Sequence, residues 1–218
     1  MQSPSNTTSL EGTHNTAAMS ALRWTMAVLA VGAVGLQAWH LNRIERFAID
    51  QYLSFFTIQS NLLAAAVMAI EASGGLGISK RRRDSVRGAL VLYLGITGIV
   101  YACLLARLPM VKEIVHPWAD LVLHYGMPLW VLADWLISPP ASKISFRRAL
   151  TWLVYPIAYL FLTLLRGAWT KWYPYPFLNP ESPGGWTSVA IVSTIITLGA
   201  VFSISIILYL GQIRRKEA

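Results

Sequence analysis

Residues 188–210 read Ser188-Val-Ala-Ile-Val-Ser-Thr-Ile-Ile-Thr-Leu-Gly-Ala-Val-Phe-Ser-Ile-Ser-Ile-Ile-Leu-Tyr-Leu210, a run without a charged side chain that stops just before Arg214, Arg215 and Lys216. A helix rising about 1.5 Å per residue crosses the roughly 30 Å hydrocarbon core of a bilayer with about 20 such residues. The run shows no sustained two-residue alternation, and a barrel strand would be about half as long. It reads as a transmembrane helix.

Working outward, five more apolar runs of similar length fall at about 22–41, 52–72, 86–108, 118–137 and 148–169. Only 13% of the 218 residues are charged while 55% are hydrophobic, against roughly 25% charged in an ordinary soluble domain. That balance excludes a soluble enzyme, a nucleic-acid binder and a disordered chain. The expected fold class is all-α, a polytopic membrane protein with a bundle of six transmembrane helices over 21–212. A disordered tail rich in Ser, Thr and Asn is expected over 1–20, and a short basic tail over 213–218. Asn6-Thr7-Thr8 matches a glycosylation acceptor, and the tail lacks the basic start and small-residue cleavage site of a signal peptide.

The net charge is +8, and its placement points to a membrane rather than to nucleic acid. Lys80 to Arg83 with Arg87, Lys143 with Arg147 and Arg148, Arg214 to Lys216, and Arg23 fall on one side of the six-span arrangement. Arg43, Arg46, Arg107, Lys112, Arg166 and Lys171 fall on the other. Basic residues accumulate on the cytoplasmic side, so both termini are expected in the cytoplasm. The single cysteine, Cys103, permits neither an intrachain disulfide nor a cysteine zinc cluster. No internal repeat suggests an inverted-repeat transporter.

The stretch Trp169-Thr-Lys-Trp-Tyr-Pro-Tyr-Pro-Phe177 closes the fifth run. It reads first as an interfacial aromatic belt stopped by prolines, and alternatively as a cap over a site at that membrane face.

Polar residues inside spans are costly and are functional candidates by default. The second run opens Ser54-Phe-Phe-Thr57-Ile-Gln59-Ser60-Asn61 and ends near Glu71. The fourth opens Pro117-Trp-Ala-Asp120-Leu-Val-Leu-His124-Tyr125 and ends near Asp134. Both run inward from the outer face, and Thr57 and His124 lie at matching depths, roughly 7–9 Å below the boundary. If the helices meet, an imidazole can take the hydroxyl proton while the oxygen attacks an acyl carbon. Asp120, one turn before His124, either caps the helix start or orients the ring. Asn61 or Gln59 could stabilise an oxyanion. Tyr155, Tyr159 and Arg166 share a face of the fifth run, and Arg166, with Arg107 as a second choice, could hold a lipid carboxylate or phosphate. Each has a structural alternative: Thr57 bonded to its own helix, Arg166 snorkelling to headgroups.

These residues resemble the androgen-induced gene and androgen-dependent TFPI-regulating protein family. The likeness rests on Phe56-Thr57-Ile-Gln-Ser-Asn61, on His124-Tyr-Gly-Met-Pro-Leu-Trp-Val-Leu-Ala-Asp134-Trp, on Tyr155-Pro-Ile-Ala-Tyr159 leading to Arg166-Gly, and on Trp172-Tyr-Pro-Tyr-Pro-Phe177. It spans about 20–212 and is similar to a bacterial branch of six-span proteins. The resemblance implies a threonine hydrolase of lipid esters of the fatty acid ester of hydroxy fatty acid type. Thr57 would be the nucleophile, with Ser60 as the alternative, and His124 the base. It implies no metal or organic cofactor, a lipid or fatty-acyl ester as partner, and a multi-pass place in the cell membrane, here a bacterial inner membrane. The rival is a small transporter or lipid-binding protein, which predicts a polar path from the outer cluster to Glu71 and Asp134.

Overall fold

The computed structural model describes residues 7–75 and 77–217; Asn6 of the glycosylation match, and the rest of 1–6, lie outside them. The described residues form helices and turns without strands. The first helix, α1 (Thr7–Arg43), begins well before the apolar run does. Residues 7–20 are thus helical rather than a separate coil, because extending an existing helix costs far less than nucleating one. Ala27, Ala30, Ala33, Val34 and Gln37 are buried along α1, a stripe at three- and four-residue spacing.

Against that stripe lies α3 (Phe56–Ala72), with Thr57, Asn61, Ala64, Ala65 and Met68 buried. Burying apolar surface drives little association inside lipid, so the small residues matter by letting the backbones approach. The second run is not one helix from 52. A single turn, α2 (Ile49–Tyr52), precedes it and is tied to α1 by the Tyr52 hydroxyl donating to the Val34 carbonyl at 2.6 Å. The Ser54 hydroxyl bonds back to the Asp50 carbonyl and the Gln59 amide to the Leu53 carbonyl. Such local bonds compete with helix formation and break the run here.

The central helix is α4 (Lys80–Val100), extended by a π-helical turn at Tyr101–Leu105. Of its most apolar 18-residue window 56% is buried, against 22% for each of the other three long helices. Its start includes Lys80 to Arg83, so that basic run is helical rather than loop. A short α5 (Pro109–Ile114) leads to α6 (Pro117–Asp120), a π-helical turn Leu121–Gly126 and α7 (Met127–Ile137), without a break from 117 to 137. Pro128 accounts for the distortion. It has no N–H for the carbonyl four residues earlier, that of His124, and its ring crowds the same atom. The α4 helix passes close to this carbonyl at Gly98, where a Cβ would come within 3.1 Å of the His124 oxygen.

Next come α8 (Phe146–Ala149), a 3-10 turn Leu150–Leu153 and α9 (Val154–Thr170). Here Pro156 again denies a bond to the preceding turn, which tightens. Lys171, in the left-handed conformation, closes α9 with its N–H on the Gly167 carbonyl at 2.8 Å. The chain then folds back through a 3-10 turn, Pro176–Leu178, into α10 (Gly185–Glu217), which includes most of the expected basic tail.

Four helical stretches are long and apolar enough to cross a membrane: Ala17–Arg43, Lys80–Leu105, Phe146–Thr170 and Gly185–Lys216. Their outer faces expose Val31, Phe161, Leu162, Leu198 and Phe202. Hydrocarbon tolerates such a surface and water does not. The chain is an all-helical, membrane-embedded protein.

The basic end of the bundle is tied by ions. Asp134 of α7 accepts from Arg23 of α1 at 2.7 Å and from Arg87 of α4 at 2.8 Å, and Glu71 pairs with Arg83 at 2.6 Å.

Candidate functional site

At the opposite end, the first turn of α3 faces the π-helical turn of the fourth run. The Thr57 hydroxyl lies 3.3 Å from His124 Nε2, and His124 Nδ1 lies 2.7 Å from Asp120 Oδ1. Hydroxyl, imidazole and carboxylate stand in line. Thr57 and His124 are buried and Asp120 is partly exposed. With a proton on Nδ1 donated to Asp120, Nε2 is free to accept the Thr57 proton. The 3.3 Å separation is slack, as such contacts often are before substrate tightens them.

Two further groups hold this line. The Tyr101 ring, from the π-helical turn of α4, stacks on the imidazole with centroids 3.7 Å apart and planes 11° from parallel. The Asn61 amide donates to the Thr57 carbonyl at 2.9 Å and to the Leu123 carbonyl at 3.2 Å, joining α3 to the segment that carries His124. Both π-helical turns therefore border the imidazole, and such turns recur at functional sites.

Asn61 thus braces the backbone, and its NH₂ is already occupied. Gln59 points elsewhere, its amide on Leu53 and its oxygen accepting from Tyr155 at 2.8 Å. Ser60 is fully buried and turned to Thr97, hydroxyl to hydroxyl at 3.0 Å; it does not face the imidazole. Tyr159 donates to the Ser54 carbonyl at 2.8 Å and packs on Phe56. Arg166 is drawn away, paired with Asp50 at 2.6 Å and lying over the Trp172 ring. It lines neither cavity described below, and nor does Arg107. The helical-wheel placement of Arg166 could not register that a carboxylate waits on α2.

Sequence reasoning also missed Tyr175. The aromatic segment divides: Trp169 is 78% exposed, as a membrane-interface ring would be, whereas Tyr175 is 8% exposed. Tyr175 reaches back over the first turn of α3, edge-on to Phe55 at 5.7 Å and stacked on Phe177 at 5.2 Å. Burial pushes its phenol up, while the neighbouring Thr57 hydroxyl and backbone work the other way. It stays protonated beside Thr57. The fold-back is possible because Gly167 has no side chain: a Cβ there would fall 2.0 Å from the Tyr173 ring.

Two cavities meet at Thr57. The wider, of about 440 Å³, lies between α1, α2, the fourth run and the aromatic segment, with Gln37, Arg46 and Gln51 among its polar lining and His124 on its wall. The narrower, of about 90 Å³, lies between α4, α9 and α10. Thr57, Tyr101, Leu105 and Tyr175 line both. Glu71 and Asp134 line neither; they border a separate void of about 10 Å³. Among the described residues no cluster of His, Cys, Asp or Glu is placed to hold a metal ion.

No family model, curated protein or solved structure matches the chain.

Proposed function

We propose that the protein is a membrane-embedded hydrolase of lipid esters with Thr57 as nucleophile. The observation that carries this is the Thr57–His124–Asp120 line at 3.3 Å and 2.7 Å, buried at the junction of two cavities. Six apolar segments cross the bilayer in this reading, with both termini on the cytoplasmic side and the site in the outer half. The short α3 and the kinked 117–137 segment are the second and fourth crossings. The resemblance to the androgen-induced gene family supports the same chemistry.

His124 Nε2 takes the proton of the Thr57 hydroxyl as Oγ1 bonds to the ester carbonyl carbon. The resulting oxyanion accepts a hydrogen bond from the Tyr175 phenol. The carbon–oxygen bond to the alcohol then breaks, and the proton on Nε2 goes to the departing oxygen. Water repeats the sequence on the acyl-threonine, returning the proton to Thr57 and releasing the acid. Asp120 holds the ring in the tautomer this requires. Arg46, which lines the wide cavity without an ion-pair partner among the described residues, replaces Arg166 as the cation for an anionic group on the substrate.

The rival transporter or lipid-binding reading needs a polar path from this cluster to Glu71 and Asp134, but both carboxylates are held in ion pairs beside a small separate void. The deciding experiment is labelling of purified protein by a fluorophosphonate probe, with ester turnover in parallel. Wild type is expected to label and turn over, and Thr57→Ala and His124→Ala to lose both by about 10³-fold or more while remaining folded. Full turnover in Thr57→Ala would exclude Thr57 as nucleophile; well-folded wild type without labelling or turnover would favour binding or transport.

A further inference from the structure

The two cavities that meet at Thr57 differ in a way that assigns the halves of the substrate. His124 lines only the wide cavity, and it is absent from the walls of the narrow one. In acyl transfer the protonated imidazole must reach the oxygen of the departing alcohol, and later the incoming water at the same position. The leaving group therefore occupies the space on the His124 side of Thr57. The acyl chain is left with the other space.

The narrow chamber suits the first methylenes of a single hydrocarbon chain, whose remainder would lie in the bilayer. Thr57, Val100, Leu160, Ile196, Ala200 and Ile157 are among its lining, and its walls are almost wholly apolar. It also reaches the outside of the bundle. The α10 helix packs on α4, α7 and the turn at Leu150–Leu153 rather than along α9, and Ile157 at the margin of the gap is 51% exposed. A chain can pass sideways from the bilayer between α9 and α10. The wide cavity, with Gln37, Arg46 and Gln51 on its walls, offers polar contacts and room for water.

Resting on the hydrolase reading, we infer that the acyl chain of the ester enters between α9 and α10 and begins in the narrow chamber, while the alcohol moiety lies in the wide cavity facing Arg46 and Gln51. Thr57 cuts at the waist between them. The fatty acid then leaves toward lipid, and the alcohol leaves toward the aromatic end.

The test uses purified full-length protein in detergent micelles with two ester series: ethyl esters of acids from butyrate to hexadecanoate, and butyrate esters of alcohols from ethanol to hexadecanol. Ala200→Phe fills the narrow chamber. It is expected to lower kcat/KM for ethyl hexadecanoate at least tenfold and leave the butyrate series within twofold. Ile157→Ala, at the exposed margin, widens the same chamber without burdening the core and is expected to raise the longest acyl substrates severalfold. Ala48→Trp, on the wall of the wide cavity, is expected to do the reverse of Ala200→Phe, penalising long alcohols only. An active wild type whose acyl-length profile is unchanged by Ala200→Phe and Ile157→Ala overturns the assignment and leaves the hydrolase reading standing. So does one in which Ala48→Trp truncates the acyl series. A folded wild type that hydrolyses neither series overturns both.

Discussion

The Tyr101 ring lies flat on the His124 imidazole, 3.7 Å between centroids and 11° from parallel. The stack fixes the plane of the base, while Asp120 holds its Nδ1 from behind at 2.7 Å. A π-face also favours the imidazolium formed when Thr57 gives up its proton, by about 0.5–2 kcal/mol. Tyr101 is a positioning residue for the proposed chemistry.

Replacing it separates these contributions. Tyr101→Leu is expected to lower kcat about 2- to 30-fold with KM little changed, whereas Tyr101→Phe keeps the stack and most of the rate. Steady-state kinetics on one soluble ester checks this. Equal losses in both variants would place the effect in the hydroxyl instead of the ring face.

Tyr175→Phe removes the phenol beside Thr57 and keeps the ring packing on Phe55 and Phe177. Loss of one oxyanion donor typically costs about 10²–10³ in kcat, so a fall of that order is expected. Fluorophosphonate labelling is expected to slow in parallel. Unchanged kcat would remove Tyr175 from the mechanism.

Arg46→Ala and Arg166→Ala separate the cation in the cavity from the one outside it. The first is expected to raise KM for esters with a carboxylate on the alcohol part by about tenfold, in keeping with a charge-assisted bond worth roughly 1.5–3 kcal/mol when buried and less at a wet rim. Uncharged esters should be little affected. Arg166→Ala should leave both substrate classes alike, since its partner is Asp50.

At the basic end, Asp134→Ala leaves Arg23 and Arg87 facing each other without a counter-charge. Removing one partner of a buried ion pair costs about 3–5 kcal/mol. A markedly lower melting temperature in detergent is expected, with kcat of the surviving folded protein near wild type, because Asp134 lines neither cavity at Thr57.

The approach of Thr57 to His124 was legible in sequence because both sit a few residues into their apolar runs, although the second run becomes a continuous helix only at Phe56. Depth along a helix is a property that chain position alone encodes. Azimuth is harder. Arg166 shares a face with Tyr155 and Tyr159 on an ideal wheel, yet the charge on Asp50 draws it out of the site. The interruption before Phe56 follows from side-chain bonds of Ser54 and Gln59, which hydropathy does not register. Tyr175 belongs to a segment whose composition reads first as a membrane belt and only second as a cap. Only the turn at Lys171 and the space over Gly167 turn part of it inward.

The π-helical turn at Leu121–Gly126 has a bearing on which changes in length this chain can survive. A π-helical turn already takes up one residue more than a regular turn, so a deletion there restores regular winding with the flanks close to their present register. A further inserted residue would instead rotate one side against the other by about 100°. His124 would swing off Thr57, or Asp134 off its two arginines; both alignments could not be kept. Substitutions on the lipid-facing side of this segment should be absorbed, whereas a single-codon insertion between 121 and 126 should not. A scan of one-residue insertions along the fourth run would then show low tolerance on the His124 side of that turn, despite the run's ordinary hydropathy.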